Sequence, residues 1–165
     1  MIKTDIGEYI VGAYLKIIKE CDFVDYNVRP PGGGLKGLNE LDVVGLDFKN
    51  KIAYLCEVTT HIRGVLYKDN ITTVNKINIK YKRQKEYANR YLPPGFSKRY
   101  FMFWSPVVPK GYITEELEKI DGLELVINKK YTQCINELRI KAKELTNDVG
   151  NPFFRILQIL EHLRS

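Results

Sequence analysis

The stretch LNELDVVGLDFKNKIAYLCEVTTHI, residues 38–62, contains two apolar segments separated by a short polar link. Segments of this length that are rich in valine, isoleucine and tyrosine are typical of strands, so we predict strands over 38–48 and 51–62. The link at Lys49-Asn50 is short enough for a hairpin turn. The stretch therefore predicts two neighbouring antiparallel strands of a sheet.

Two carboxylates lie in these strands at positions whose neighbours in the sequence are apolar. Side chains alternate between the two faces of a strand, and a turn at Lys49-Asn50 brings Asp42 close to Glu57. Two like charges in apolar surroundings cost free energy unless a cation or a shared proton compensates them. A divalent cation fits this need, because Mg²⁺ favours one or two carboxylates together with water and phosphate oxygens. The alternative interpretation is that Asp42 and Glu57 are ordinary polar residues on a solvent-facing strand.

Outside the hairpin, hydrophobic periodicity predicts an α/β protein with a mixed central sheet flanked by helices. The glycine run after Pro30-Pro31 is not followed by Gly-Lys-Ser/Thr, so we interpret it as a hairpin loop and not as a phosphate-binding loop. The remaining predicted elements are a helix over 5–20, a strand over 23–29, a helix over 72–92, a strand over 99–109, a short helix at 114–119, a strand over 123–127, and helices over 130–146 and 152–164.

Length and composition predict one domain over 1–165, with a core at about 5–128 and C-terminal helices at about 130–164. Apolar residues make up 44% and charged residues 28% of the chain, which excludes disordered, collagen-like and coiled-coil proteins. The sequence has neither an apolar run long enough for a membrane span nor a charged, apolar leader, so we expect a cytoplasmic protein without a membrane partner. The three cysteines form no CxxC pair and are expected to be reduced, buried thiols.

The positive charge is concentrated in one block of the chain. The formal net charge is +6, yet residues 61–99 alone hold ten basic and two acidic side chains. Residues 1–60 carry a net charge of −2, and residues 100–165 carry none. Such a block favours a polyanionic partner, although a solvated lysine-rich helix is the alternative. The predicted nucleic-acid-binding residues are Lys76, Lys80, Lys82, Arg83 and Lys85.

Three motifs together resemble the PD-(D/E)xK nuclease superfamily, which includes restriction endonucleases and archaeal Holliday-junction resolvases. They are an N-terminal helix that carries Glu8, Asp42 within the segment Asn39 to Gly45, and the tripeptide Glu57-Val58-Thr59. The order helix, three strands, helix, strand is also similar to the core of that superfamily. The resemblance covers roughly 5–105 and implies a restriction-endonuclease-like fold with extra C-terminal helices.

The resemblance implies a metal-dependent deoxyribonuclease that hydrolyses phosphodiester bonds with a metal-activated water. Asp42 and Glu57 would be the metal ligands, with Mg²⁺ or Mn²⁺ as cofactor and the Val58 carbonyl as a further ligand. Glu8 would orient the metal-bound water. Many members of the superfamily act as dimers, and the apolar C-terminal helix over 152–164 is the candidate surface for a homodimer.

One position departs from the family pattern, because Thr59 stands where the family has a lysine. Three explanations remain open. In the first, another basic residue replaces the lysine, with Lys76 or Lys80 preferred and His61 behind them. In the second, Thr59 positions the water while the metal does the rest. The third explanation makes the chain a catalytically inactive nucleic-acid-binding or accessory module on the same fold.

Two further residues have a structural interpretation beside the functional one. Glu8 is early enough in its helix to complement the positive N-terminal end of the helix dipole. Trp104 lies in an apolar strand and is expected in the core and not on a base-stacking surface.

Overall fold

A computed structural model of the chain describes residues 3–32 and 40–164, which fold into a five-stranded sheet between two layers of helices. The strands are β1 (Phe23–Val28), β2 (Leu41–Asp47), β3 (Ile52–Val58), β4 (Lys98–Ser105) and β5 (Leu123–Ile127). The helices are α1 (Ile6–Ala13), α2 (Asn70–Tyr91), α3 (Tyr112–Glu118), α4 (Asn128–Glu144) and α5 (Pro152–His162). A π-helical turn, Tyr14–Ile18, continues α1.

The sheet is mixed, with the strands in the order β1-β2-β3-β4-β5. The first three strands form an antiparallel meander, whereas β3, β4 and β5 are parallel. Parallel neighbours need a crossover connection, which α2 supplies between β3 and β4, and α3 supplies between β4 and β5. The predicted α/β class with a mixed, helix-flanked sheet is therefore confirmed, as are the two C-terminal helices.

The predicted hairpin is present, and its register follows from a closed polar turn. Asp47 at the end of β2 accepts hydrogen bonds from the backbone and side-chain nitrogens of Asn50, at 2.8 and 2.7 Å. The strands then pair with Val43 opposite Cys56. The next positions along each strand are Asp42 and Glu57, as the alternation predicted.

Two predicted strands end earlier than expected. The second hairpin strand was expected to reach residue 62, but β3 ends at Val58, and the chain leaves the sheet after one more backbone hydrogen bond, from Thr59 to Trp104. β4 ends at Ser105, not at residue 109, because Pro106 has no N–H to donate. Residues 33, 34, 38 and 39 of the predicted loop, first hairpin strand and family motif lie outside the described residues.

The apolar core lies on both faces of the sheet. One face packs against α1, the π-helical turn, α4 and α5, with Trp104 fully buried at its centre as predicted. The other face packs against α2 and α3. The three cysteines are buried and carry no disulfide, as expected. Within the described ranges, the helices are all too short or too polar to cross a membrane.

Candidate active site

Asp42 and Glu57 lie side by side where β2 begins and β3 ends. The backbone N–H of Val58 donates a hydrogen bond to Asp42 Oδ2 at 2.7 Å, which ties the Asp42 side chain to the end of β3. Glu57 is only 4% exposed, and Asp42 is half-buried. The alternative interpretation of two residues on a solvent-facing strand is therefore wrong for Glu57.

A lysine from the crossover helix compensates the buried glutamate. Lys80, in the middle of α2, forms an ion pair with Glu57 Oε1. Apart from this ammonium group, Oε1 has no partner within the described part of the chain. Lys76, one turn earlier, instead lies over the ring of Tyr67, with Nζ 4.5 Å from the ring centroid. Of the two lysines proposed to replace the family lysine, Lys80 is the one that contacts a carboxylate.

Burial makes the charged forms of Asp42 and Lys80 less favourable than they are in water. Burial raises the pKa of Asp42, although the hydrogen bond from Val58 and the charge of Lys80 oppose that shift. Burial lowers the pKa of Lys80, and the nearby Arg83 lowers it further, while Asp42 raises it. Charged groups with shifted pKa values in one place are more often found at functional sites than elsewhere.

Glu8 approaches Asp42 from α1 and also caps that helix. Its Oε2 accepts hydrogen bonds from the Asp5 backbone N–H at 2.9 Å and from Asn27 Nδ2 at 3.0 Å. Asp5 in turn caps Gly7 N, so the two acids form a capping box. Burial raises the pKa of Glu8, and the charge of Asp42 adds to the shift. The interpretation that Glu8 stabilises the N-terminal end of its helix is confirmed. Its carboxylate also interacts electrostatically with Asp42.

Thr59 lies at the end of the contact between β3 and β4, where its backbone N–H donates to the Trp104 carbonyl. Its hydroxyl donates a hydrogen bond to Ser105 Oγ at 2.9 Å, and Ser105 in turn donates to the Val107 carbonyl at 3.2 Å. Thr59 is buried. Because β3 ends at Val58, strand alternation does not extend to His61. The hydroxyl proton of Thr59 is used structurally, which weakens the idea that it positions a water.

The loop after β3 closes one side of the site with an aromatic residue. Burial raises the pKa of the Tyr67 phenol, and the charge of Asp42 adds to that shift. The backbone N–H of Tyr67 donates to Thr73 Oγ1 at 2.8 Å, and that hydroxyl donates to the Asp69 carbonyl at 2.7 Å. His61 is exposed and packs edge-on against Tyr67, with ring centroids 5.7 Å apart. The hydrogen bonds fix the loop onto the start of α2.

The predicted nucleic-acid-binding residues divide into two groups around α2. Helical spacing places Lys76, Lys80 and Arg83 on one stripe that begins at the acidic site. Lys82 and Lys85 point to other sides of the helix, and Lys85 Nζ lies 4.4 Å from the centroid of the Tyr81 ring. The structure therefore places three of the five basic residues on one stripe of α2, of which Lys80 contacts a carboxylate of the site.

The donor set fits a hard cation held by two carboxylates. Asp42 Oδ1 has no hydrogen-bond donor among the described residues, and Glu57 is compensated by a flexible lysine that can move. Within 3–32 and 40–164, no group of three or more histidine, cysteine or acidic residues could enclose a metal. Mg²⁺ commonly binds through one or two carboxylates with water and phosphate completing the shell, so Asp42 and Glu57 suit it.

Sequence reasoning did not single out Asn27 or Tyr67. Asn27 lies in β1 with a φ of 53°, so strand alternation does not predict where its side chain points. An asparagine within a strand is a weak signal for such a conformation, since asparagine tolerates positive φ better than most residues. The position of Tyr67 depends on the path of a loop, for which the sequence has no periodic signal.

Comparisons with known proteins add nothing to this geometry, since no family model, curated protein or solved structure significantly matches the chain.

Proposed function

We propose that this protein is a metal-dependent deoxyribonuclease of the restriction-endonuclease-like type. The observation that carries the proposal is the ion pair between Lys80 and Glu57 beside Asp42, at the end of β3. This arrangement supplies two carboxylates and one ammonium group, although the lysine comes from α2 and not from position 59. The order of α1, the antiparallel meander, α2 and the parallel β4 supports the same fold type.

The proposed roles follow from the contacts of each side chain. Asp42 and Glu57 hold Mg²⁺ or Mn²⁺, which supplies charge neutralisation at the phosphate and a more acidic water. Lys80 leaves Glu57 for the phosphate oxygens, where its positive charge stabilises the charge that develops during hydrolysis. Glu8 accepts a proton from the attacking water or orients it, since its raised pKa is closer to neutral pH than that of an ordinary glutamate.

A second candidate function is a catalytically inactive nucleic-acid-binding or accessory module on the same fold. The observation that favours it is Thr59, which replaces the family lysine and whose hydroxyl is bound to Ser105. Lys80 does not decide between the two candidates, because its ion pair with Glu57 stabilises the fold whether or not the site cuts. The two candidates differ in what a divalent cation does to the protein.

The proposal is tested by cleavage assays with purified protein and three substrates: supercoiled plasmid, single-stranded circles and a four-way junction. Each is incubated with Mg²⁺, with Mn²⁺ and with chelator. We expect metal-dependent cutting that falls at least about 100-fold in Asp42→Asn and in Glu57→Gln, because each removes a charge that holds the cation. Glu124→Gln is the matched control, since Glu124 lies on β5 and pairs with Lys130 at 2.7 Å.

The outcomes separate the two candidates. Cutting that needs metal, fails in both site variants and survives in Glu124→Gln supports the nuclease. An absence of cutting with either metal, together with salt-sensitive DNA binding, would move the assignment to the inactive module. Absence of DNA binding even at low salt would favour an accessory role, in which the basic stripe of α2 meets an acidic protein.

A further inference from the structure

A groove lies beside the C-terminal half of α2, on the helix face that also carries Lys80. It has a volume of about 170 Å³ and is formed between the C-terminal half of α2 and the segment that follows β1. Its walls include Pro30, Arg83, Tyr87, Arg90 and Tyr91. The groove therefore combines an apolar wall, two guanidinium groups, two phenol rings and the carboxylate of Glu86.

Helical spacing joins this groove to the acidic site without a gap. Arg83 and Tyr87 follow Lys80 at intervals of three and four, and Arg90 and Tyr91 lie three and four residues beyond Tyr87, so all five lie along one face of α2. The rise of 1.5 Å per residue makes this face roughly 16 Å long. Arg83 is the link, because it lines the groove and its charge also lowers the pKa of Lys80. A chain with regularly spaced negative charges can follow this face from the carboxylates into the groove.

Tyr87 and Tyr91 each leave part of the ring surface outside the apolar core. Their ring centroids are 5.3 Å apart, with an angle of 48° between the ring planes. Tyr91 is 39% exposed, whereas Tyr87 is half-buried against the apolar cluster under α2. Rings that are tilted and partly open leave room for a planar group to stack on them. Bases paired within a duplex already stack on one another, so the planar group must come from an unpaired base.

The arginines of the groove differ in how free they are to bind a phosphate. Arg90 is paired with Glu86 at 3.1 Å, one helical turn away on the surface, and such exposed pairs are weak. Arg83 has no carboxylate within ion-pair distance among the described residues, and it is close enough to Lys80 to repel it. An anionic backbone would relieve that repulsion. The two arginines outnumber the one carboxylate that lines the groove, Glu86, so the charge of the groove favours a polyanion.

We propose that this groove binds single-stranded nucleic acid, with bases stacked on Tyr87 and Tyr91 and phosphates paired with Arg83 and Arg90. Its relation to cleavage rests on the proposed nuclease function: the substrate then has an unpaired segment next to the phosphate at Asp42 and Glu57. Binding in the groove does not depend on cleavage. An alternation of cationic and aromatic side chains is the general way in which proteins hold single strands without reading their sequence.

The groove is tested by fluorescence anisotropy in the Asp42→Asn background with chelator, where no cleavage can occur. The probes are a fluorescent oligothymidylate and a blunt DNA duplex. We expect Tyr91→Leu to weaken binding of the single strand by about 5- to 100-fold and to leave duplex binding unchanged. Tyr91→Phe should retain the affinity, since its ring still stacks. An equal loss on both probes, or no loss on the single strand, would overturn the proposal.

Tyr100 provides a matched control for the loss of an exposed ring. It is 42% exposed and stacks on Tyr54 with centroids 5.2 Å apart, but it lies on the opposite face of the sheet from α2. Tyr100→Leu should therefore leave binding of the single strand unchanged. Because Tyr87 also packs in the core, Tyr87→Leu is interpreted only if its melting temperature matches that of Tyr91→Leu.

A cleavage assay with Mg²⁺ separates failure of the groove from failure of the nuclease. The substrates are a blunt duplex and the same duplex with a short single-stranded overhang. If Tyr91→Leu binds single strands poorly and the wild type cuts neither substrate, the groove stands and the nuclease fails. If the wild type cuts in an Asp42-dependent way but Tyr91→Leu binds and cuts both substrates like the wild type, the nuclease stands and the groove fails.

Discussion

Lys80 shows at the residue scale that a charge can reach the same place from a different element. The family pattern puts the lysine two positions after the glutamate on a strand, whereas here the ammonium group comes down from α2 onto Glu57. A buried carboxylate needs a cation nearby, and the free energy depends on their distance and burial and not on their separation in sequence. This accounts for how Thr59 can be bound to Ser105 without leaving Glu57 uncompensated.

The Lys80–Glu57 pair predicts a double-mutant cycle. Lys80→Met should lower the free energy of unfolding by about 1–2 kcal/mol, because it leaves Glu57 buried and unpaired. This is less than for a fully buried pair, since the Lys80 side chain is 37% exposed and solvent screens its charge. Lys80→Met with Glu57→Gln should recover most of that stability but none of the nuclease activity. Urea denaturation and the plasmid assay measure the two quantities. A double variant as unstable as Lys80→Met alone would contradict the predicted coupling.

Asp42 predicts how stability depends on pH. Its pKa is raised in the folded state, so the folded protein holds this proton more tightly than the unfolded chain does. The stabilisation is complete below the ordinary value of 3.8 and is lost as the pH rises through the raised value. Wild type should therefore lose stability relative to Asp42→Asn between pH 4 and 7, and the variant should melt higher at pH 7. Melting curves across this range check it, and a difference that does not change with pH would contradict it.

At the scale of elements, α2 combines the crossover between parallel strands with the presentation of charge. Its buried face includes the small side chain of Ala88 and the amide side chain of Gln84. Gln84 Nε2 donates a hydrogen bond to the Met102 carbonyl of β4 at 3.1 Å. Gln84 is one turn beyond Lys80, so this bond holds the helix at the height that places Lys80 over Glu57. The crossover helix thus sets the geometry of the acidic site and of the groove together.

The two groups of basic residues on α2 should differ in their effect on DNA binding. Lys76→Gln with Arg83→Gln should weaken binding about tenfold or more at moderate salt and reduce the slope of log K against log salt by nearly one per lost phosphate contact. Lys82→Gln with Lys85→Gln should have a smaller effect, because those residues point elsewhere. Binding titrations at several salt concentrations measure both slopes. Equal slopes for the two double variants would show that the stripe has no preferred role.

At the scale of the whole molecule, α5 leaves one apolar stripe uncovered. Its core face is buried through Phe154 and Leu157. Four further apolar residues lie along a second stripe and are about half exposed or more: Ile156, Ile159, Leu160 and Leu163. A stripe of this spacing can pack against its own copy across a two-fold axis. We therefore keep the homodimer through the C-terminal helices as a proposal.

The homodimer predicts that a charge in this stripe changes the mass of the particle in solution. Ile159→Glu should convert a dimer into a monomer, because it buries a carboxylate in the interface. Ile79→Glu on α2 is the matched control, since Ile79 is 48% exposed and Ile159 is 51% exposed. Sedimentation velocity over a wide range of concentrations measures the mass. A wild type that stays monomeric at all concentrations would contradict the proposal.

The sequence by itself determined the α/β class, the order of the elements and the pairing of Asp42 with Glu57. These follow from local rules: alternation along strands, periodicity along helices, and a polar turn that Asp47 closes. It also predicted that α2 carries positive charge, and it offered Lys76, Lys80 and, behind them, His61 as basic residues for the site, because composition and helical spacing are local properties.

Only the tertiary structure decided between the two lysines, ended β3 before His61 and brought Asn27 and Tyr67 to the site. Which of two residues one helical turn apart meets a carboxylate depends on how far α2 slides along the sheet. The side-chain direction of Asn27 follows from a positive φ that interrupts strand alternation. Each of these depends on how distant segments pack together, which a pattern within one segment does not predict.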